Sequence, residues 1–202
     1  MPRKSTDERR QEIIQGLLEA MSEHGYAKAS IKKIADAAGI TPGLIHYHFD
    51  SKQAILLALV DELVTPQVAA LEELARTADS PTAALMAMID HLLAMGDAAQ
   101  PDAVAAWVSV GAEAIREPDI AAAYSESLAR LLGLFSDVIT DGQQAGEFST
   151  GDLNAHACAA ALVAIMEGYF TIAASAREHI PPGSAAPATR RMARGLLDLP
   201  AE

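Results

Sequence analysis

An all-α fold in two parts is predicted by three observations. Apolar residues recur at the three- and four-residue spacing of a helix face along nearly the whole of the 202 residues. No stretch of useful length alternates as a strand does. Glycine, proline and Ser/Thr capping signals punctuate the helical pattern where turns are needed. The expected organisation is a three-helix N-terminal part over residues 1–52, set apart by the lysines it holds, and a helical remainder over residues 53–202, about nine helices in all.

The first helix follows the capping candidates Ser5 and Thr6, carries Ile13, Ile14, Leu17, Leu18 and Met21 on one face, and stops at Gly25. Ser30 caps a short second helix holding Ile31, Ile34, Ala35 and Ala38, which Gly39 ends. Thr41 and Pro42 restart the chain, threonine as N-cap and proline at the first helical position, and this third helix reaches about Phe49. Ser51 caps a long fourth helix with apolar pairs at 55/56, 59/60 and 63/64. Pro66 is expected to kink or interrupt it. Ser80-Pro81 opens a fifth helix, Gly96 to Pro101 is a loop, and a sixth helix spans roughly Asp102 to Arg116. Pro118 starts a seventh, and Gly142 to Gly151 is polar and turn-rich. Residues 152–176 are apolar almost all round, the mark of a buried helix, and Pro181 to Ser184 is a loop before a last helix at about 188–199.

Half of the residues are apolar but only 4% are aromatic, and one cysteine is present. A single cysteine allows no intramolecular disulfide and no cysteine-cluster metal site, so a reducing, cytosolic setting is expected. The N-terminal residues lack the apolar core of a signal peptide. The longest unbroken apolar run, Ala157 to Met166, is ten residues, short of the roughly 18–20 that span a bilayer. No membrane association is therefore expected.

The formal net charge is −12, which by itself points away from nucleic acid. Its distribution reverses that inference. All five lysines, Lys4, Lys28, Lys32, Lys33 and Lys52, lie in the first 52 residues, where eight positive side chains meet seven negative ones. Residues 53–202 hold seven arginines against twenty acids. Such asymmetry suggests that only the first part meets a polyanion.

Residues 30–49 read as helix, glycine turn, short helix. Gly39 supplies the left-handed conformation that a tight connection needs, and Ile40 is an apolar plug beneath it. In a helix-turn-helix the second helix enters the DNA major groove, here leading with Thr41, Pro42, Gly43 and Leu44, which are small and mostly uncharged. Lys32, Lys33 and Lys52 would flank the groove where phosphates lie. His46 and His48, two apart on a short helix, point to different sides and make a poor metal pair, so no metal site is expected.

The continuation Leu44-Ile45-His46-Tyr47-His48-Phe49-Asp50-Ser51-Lys52 resembles the TetR family of bacterial transcriptional regulators. Gly25-Tyr26, the Ile31/Ile34-Ala35 pair, Ala38-Gly39-Ile40 and Phe49-Asp50-Ser51-Lys52 carry the likeness over about residues 9–60. His46 stands where the family most often has tyrosine, and Tyr47 keeps an aromatic hydroxyl one position later. The resemblance implies that Lys32, Pro42, Gly43, Leu44 and His46 face bases or sugars. It implies that Ser30, Thr41, Tyr47, His48 and Lys52 hold phosphates. Ala106-Trp107 through Phe148 is similar to the C-terminal domain of the choline-responsive branch of the family. That likeness implies a helical bundle that senses a small molecule and dimerises through its last two helices, about 152–176 and 188–199. The alanines of 152–176 would let a partner helix pack close.

Methionines and scattered aromatics make adaptable apolar walls. The candidate effector pocket is therefore Leu63, Met86, Met88, His91, Met95, Trp107, Glu113, Phe135, Met166, Tyr169 and Phe170. No glycine-rich phosphate loop, serine elbow or His-Glu-x-x-His motif is present. Catalysis and a cofactor are not expected. The expected function is a dimeric, ligand-responsive repressor of a palindromic operator in double-stranded DNA, released by a small apolar or cationic effector. The alternative is a helical interaction module or ligand sensor that no longer binds DNA.

Overall fold

The computed structural model describes residues 5–94 and 101–200. Among these, nine α-helices and no strand occur. They form two compact units, one running through Val64 and joined by Ala105–Ser125, the other made of Thr65–Val104 and the chain from Glu126 onward.

In the first unit, α1 (Thr6–His24) begins with a reciprocal cap. The Ser5 hydroxyl accepts from the Glu8 N–H at 3.2 Å, and the Glu8 carboxylate accepts from the Ser5 N–H at 2.6 Å. The helix ends at Gly25, whose φ of +74° suits glycine. A 3₁₀ turn (Tyr26–Lys28) leads to α2 (Ile31–Ala37), capped by Ser30, and then to α3 (Pro42–His48). The helix α4 (Lys52–Thr77) is capped by Ser51, whose hydroxyl accepts from the Ala54 N–H at 3.0 Å.

The periodic residues of α1 pack with Ile34, Ala35, Ile45 and Phe49 into one core. That core does not close at residue 52. Ile55, Leu56, Leu59 and Val60 of α4 belong to it, as do Ala106 and Val110 of α6 (Pro101–Ala114) and Ile120 of α7 (Pro118–Gln144). Each large aliphatic side chain so buried is worth about 1.5–3 kcal/mol, which explains why the first unit reaches past the expected boundary.

Pro66 does not interrupt α4, which remains one helix from Lys52 to Thr77. The lost hydrogen bond is offset by apolar residues on either side of it. Leu59 and Val60 are buried in the first unit, and Val68 and Leu71 in the second. The division between the units falls at Val64/Thr65, next to the proline.

The second unit is built on α5 (Pro81–Ala94), the later part of α7, α8 (Ala155–Ser175) and α9 (Ala185–Leu196), around Leu85, Met88, Ile89, Phe135, Ile139, Leu162 and Met166. Arg190 on α9 pairs with Asp90 on α5 at 2.6 Å. The Glu147 carboxylate accepts from the Thr82 N–H and hydroxyl at 3.0 and 2.6 Å, holding the start of α5.

The last two helices differ from the sequence expectation at their starts, and α9 also ends at Leu196 and not 199. The helix expected from 152 starts at Ala155, because Asn154 is its cap and accepts from the Ala157 N–H at 2.8 Å. The last helix starts at Ala185 and not 188, because Pro187 sits in its first turn, where no intrahelical donor is needed. The loop expected at 96–101 lies outside the described residues except for Pro101, and Met95 lies outside them too.

The helix α8 is covered on one side only. Cys158, Ala159, Leu162, Val163 and Met166 are buried, while Ala164, Gly168 and Ile172 are exposed. By length and composition alone, α4 and α8 are each long and apolar enough to cross a membrane. Counting unbroken runs misses this, because single polar residues such as Glu167 interrupt an otherwise apolar helix.

Candidate nucleic-acid interface

The α2–turn–α3 segment is built by caps and one left-handed residue. The Ser30 hydroxyl accepts from the Lys33 N–H at 3.3 Å, so this serine is committed to starting α2. Gly39 takes φ +64°, and the Ile40 N–H closes the turn on the Ala35 carbonyl at 2.9 Å. Thr41 occupies the N-cap position of α3, but its side chain makes no capping hydrogen bond; Pro42 sets the first turn instead. The Thr41 hydroxyl therefore does not serve the cap that the sequence suggests for it.

Ile45, from within α3, and Phe49, just past its end, are buried and anchor it to the core. Thr41, Pro42, Gly43, His46 and Tyr47 are exposed, and Tyr47 is 80% exposed, an unusual state for so large a ring. Leu44 and His48 are half-buried. The Tyr47 and His48 rings meet edge-to-face with centroids 5.0 Å apart. On α2, Lys32 is exposed and Lys33 partly so. All the residues expected at the DNA surface thus lie in the first unit, on α2, α3 and the start of α4.

Two side chains with long-range partners, Arg10 and Tyr26, hold this surface in place. Arg10 on α1 donates to the His48 carbonyl at 2.7 Å and lies over the Phe49 ring at 4.0 Å from its centroid, pinning the end of α3. Their separation of 38 residues is invisible to periodicity. Arg10→Ala is expected to destabilise the first unit by about 1.5–3 kcal/mol, the worth of a charge-assisted bond, and to weaken DNA binding in parallel. Thermal melts and anisotropy titrations of the variant check both.

Tyr26 is the second. The Lys52 ammonium donates to the Tyr26 carbonyl at 2.8 Å and sits 4.0 Å from its ring centroid. Lys52, expected to face phosphate, therefore also ties the start of α4 to the 3₁₀ turn, with other ammonium protons left for a further acceptor. Burial lowers the Lys52 pKa from its ordinary value, and Glu113 acts in the opposite sense.

Burial, then the Glu113 and Glu117 carboxylates, push the Tyr26 phenol up to about 12. A raised folded-state pKa means the associated stability is fully present below the ordinary value of 10.0 and is lost as pH rises through about 12. Absorbance titration of the tyrosinate band is expected to show a late step near pH 12 from Tyr26. Tyr26→Phe should remove that late step.

The expected pocket residues are divided between the two units, and Met95 lies outside the described residues. Leu63, Trp107 and Glu113 belong to the first unit, where Trp107 packs on Tyr124 with ring centroids 4.7 Å apart. Met88, Phe135 and Met166 are fully packed in the core of the second, with Met86 partly buried against it. His91 faces Gln67 at 3.0 Å. Tyr169 and Phe170 line an open cleft of about 510 Å³ in the second unit. Its other apolar walls include Leu93, Ala173, Ile180, Pro182 and Ala185, and the exposed Arg177 and Glu178 also line it. Part of that lining comes from 177–183, which periodicity marks only as helix end and loop. Among the described residues, no group of three His, Cys, Asp or Glu side chains is placed to hold a metal.

Residues 13–59 match the family described as bacterial regulatory proteins, tetR family, and residues 81–198 match the C-terminal region of BetI-type transcriptional repressors. Several relatives bear the name HTH-type transcriptional regulator BetI, two of them as follows. The one from Ectopseudomonas mendocina is 35% identical over 112 residues, covering 54% of this chain and 57% of its own. The one from Agrobacterium fabrum is 33% identical over 132 residues, 63% of this chain and 58% of its own. The matches thus span a little over half the length of these relatives. A TetR transcription regulator from Haloarcula marismortui has a similar solved structure, with TM-score 0.80 and 25% identity over 95% of this chain and 97% of that one.

Proposed function

The chain belongs to the TetR family of bacterial regulatory proteins, and from that premise we propose that it is a ligand-responsive repressor binding a palindromic operator as a homodimer. Each protomer lays α3 in a major groove, with half-site centres about 34–36 Å apart or a little more. Lys32, Lys33, Tyr47, His48 and Lys52 hold phosphates, while Pro42, Gly43, Leu44 and His46 meet base edges. The observation that carries this reading is the outward face of α3. It is uncovered, small at its leading end and flanked by lysines, on a chain whose remainder is strongly acidic. An acidic bundle is repelled by the duplex, which helps orient the reading surface.

The second copy covers the exposed Ala164, Gly168 and Ile172 of α8 and Met192 of α9. Small residues there let helices approach closely, and burial removes apolar surface from water. The effector, an apolar molecule that is neutral or cationic, occupies the cleft at Tyr169 and Phe170. It acts by binding the DNA-competent and released states with different affinity. The helices α4, α6 and α7 each run from one unit into the other and supply the covalent routes for coupling. The protein works in the bacterial cytoplasm.

Nuclease footprinting on the DNA upstream of its own gene is expected to show one two-fold-symmetric protected stretch. No protection, or uniform protection without symmetry, contradicts the reading. Sedimentation at micromolar concentration should give a dimer; monomer alone removes that part.

A further inference from the structure

The third helix, Pro-Gly-Leu-Ile-His-Tyr-His, contains no Arg, Lys, Asn, Gln, Asp or Glu. Those are the side chains that discriminate bases by paired hydrogen bonds or by accepting from cytosine. Its outward face offers one imidazole, His46, one phenol, Tyr47, and otherwise apolar surface: the exposed Pro42 ring and the partly exposed Leu44. Gly43 lies at the centre of that face, since its neighbours at three and four residues along the helix are His46 and Tyr47. Beyond its chain neighbours and the backbone of its own helix, a Cβ added to Gly43 would meet nothing within 4 Å. Alanine is also the better helix former, so nothing in the fold calls for glycine here.

We propose that this protein reads its operator chiefly through thymine C5-methyl groups, with Gly43 setting the distance of approach; this rests on the DNA-binding reading above. In the major groove the methyl group distinguishes thymine from the other three bases and is recognised by apolar contact. Pro42 and Leu44 supply that contact, and the missing Cβ at position 43 lets the helix come close enough to make it. His46 adds a single hydrogen bond to a base edge. Tyr47, as the outermost group, stays on phosphate.

The test starts from duplexes selected from a random-sequence pool by the full-length protein. Deoxyuridine is then put in place of thymidine, one position at a time in both half-sites, and affinity is read by fluorescence anisotropy at fixed salt. This removes only the methyl. At one or more positions binding is expected to weaken about fourfold per methyl, the factor that about 0.8 kcal/mol represents. In parallel, Gly43→Ala should raise the melting temperature yet weaken binding to the same duplex tenfold or more.

Unchanged affinity at every deoxyuridine position, in a protein that still prefers its selected duplex over a scrambled one, overturns the inference and leaves the DNA-binding reading standing. Failure to select any duplex overturns both. Gly43→Ala binding as tightly as the parent overturns the role of Gly43. The deoxyuridine arm uses the unaltered protein, so it stands even if the variant folds poorly.

Discussion

Gly16→Ala is expected to destabilise the first unit by about 3 kcal/mol or more and to abolish tight DNA binding with it. A Cβ at Gly16 would stand 2.7 Å from the Ile34 carbonyl oxygen and 2.9 Å from the Ala38 Cβ. The first of these is backbone, and it already accepts the Ala38 N–H at 2.9 Å at the end of α2. Neither partner can swing aside as a long side chain would, so α1 and α2 must separate. Such a shift would open the core around Ile13, Leu17, Ile34 and Ile45, all fully buried. It would also move α3, which is fixed to α1 through Arg10. In the middle of a helix alanine would ordinarily add about 0.5–1 kcal/mol of stability. A loss where a gain is the default makes the sign informative. Circular dichroism melts give the stability change, and anisotropy with an operator duplex gives the binding change.

Gly142→Ala is expected to damage the second unit comparably while leaving isolated contacts in the first intact. An added Cβ there would overlap the Phe148 ring, which is buried against the end of α7. The Glu147 and Phe148 N–H groups both donate to the Gly142 carbonyl, at 2.8 and 3.1 Å, so the ring and the glycine are held together by the backbone of this turn. Expelling Phe148 forfeits much of what a Phe→Ala change costs in a core, about 3–5 kcal/mol. Glu147, adjacent to it, anchors the start of α5 through Thr82, so effector response should fail even where the first unit still melts normally. Phe148→Ala in the Gly142→Ala background should cost little more than either change alone, because the two act on one contact.

Much of the fold is written in local chemistry. Ser5, Ser30, Ser51 and Ser80 cap their helices as their positions suggest, and Gly25 and Gly39 take the positive φ that the turns require. The surface expected to meet DNA is equally local, because α2, the turn and α3 occupy eighteen consecutive residues, Ile31–His48. What stayed hidden depends on distant pairs. Arg10 finds His48 across 38 positions and Lys52 finds Tyr26 across 26, and no periodic pattern encodes either. An effector pocket is less legible. Methionine and phenylalanine look the same in a core as in a binding wall: Met88 and Phe135 are buried in the second unit, while Ile180 and Pro182 in a connecting segment line a cleft. Pro66 shows the same limit from the other side, since burial along α4 outweighs a strong local breaker.

The central claim is that a chain of net charge −12 grips DNA through one lysine-bearing surface. Anisotropy titration against its own upstream DNA, repeated across salt concentrations, tests it most directly. Lys32, Lys33 and Lys52 from each protomer of a dimer should release counterions, giving a slope of log affinity against log salt of about −5. Tight binding with that steep slope is the predicted result. Absent binding, or binding indifferent to salt, would contradict the account.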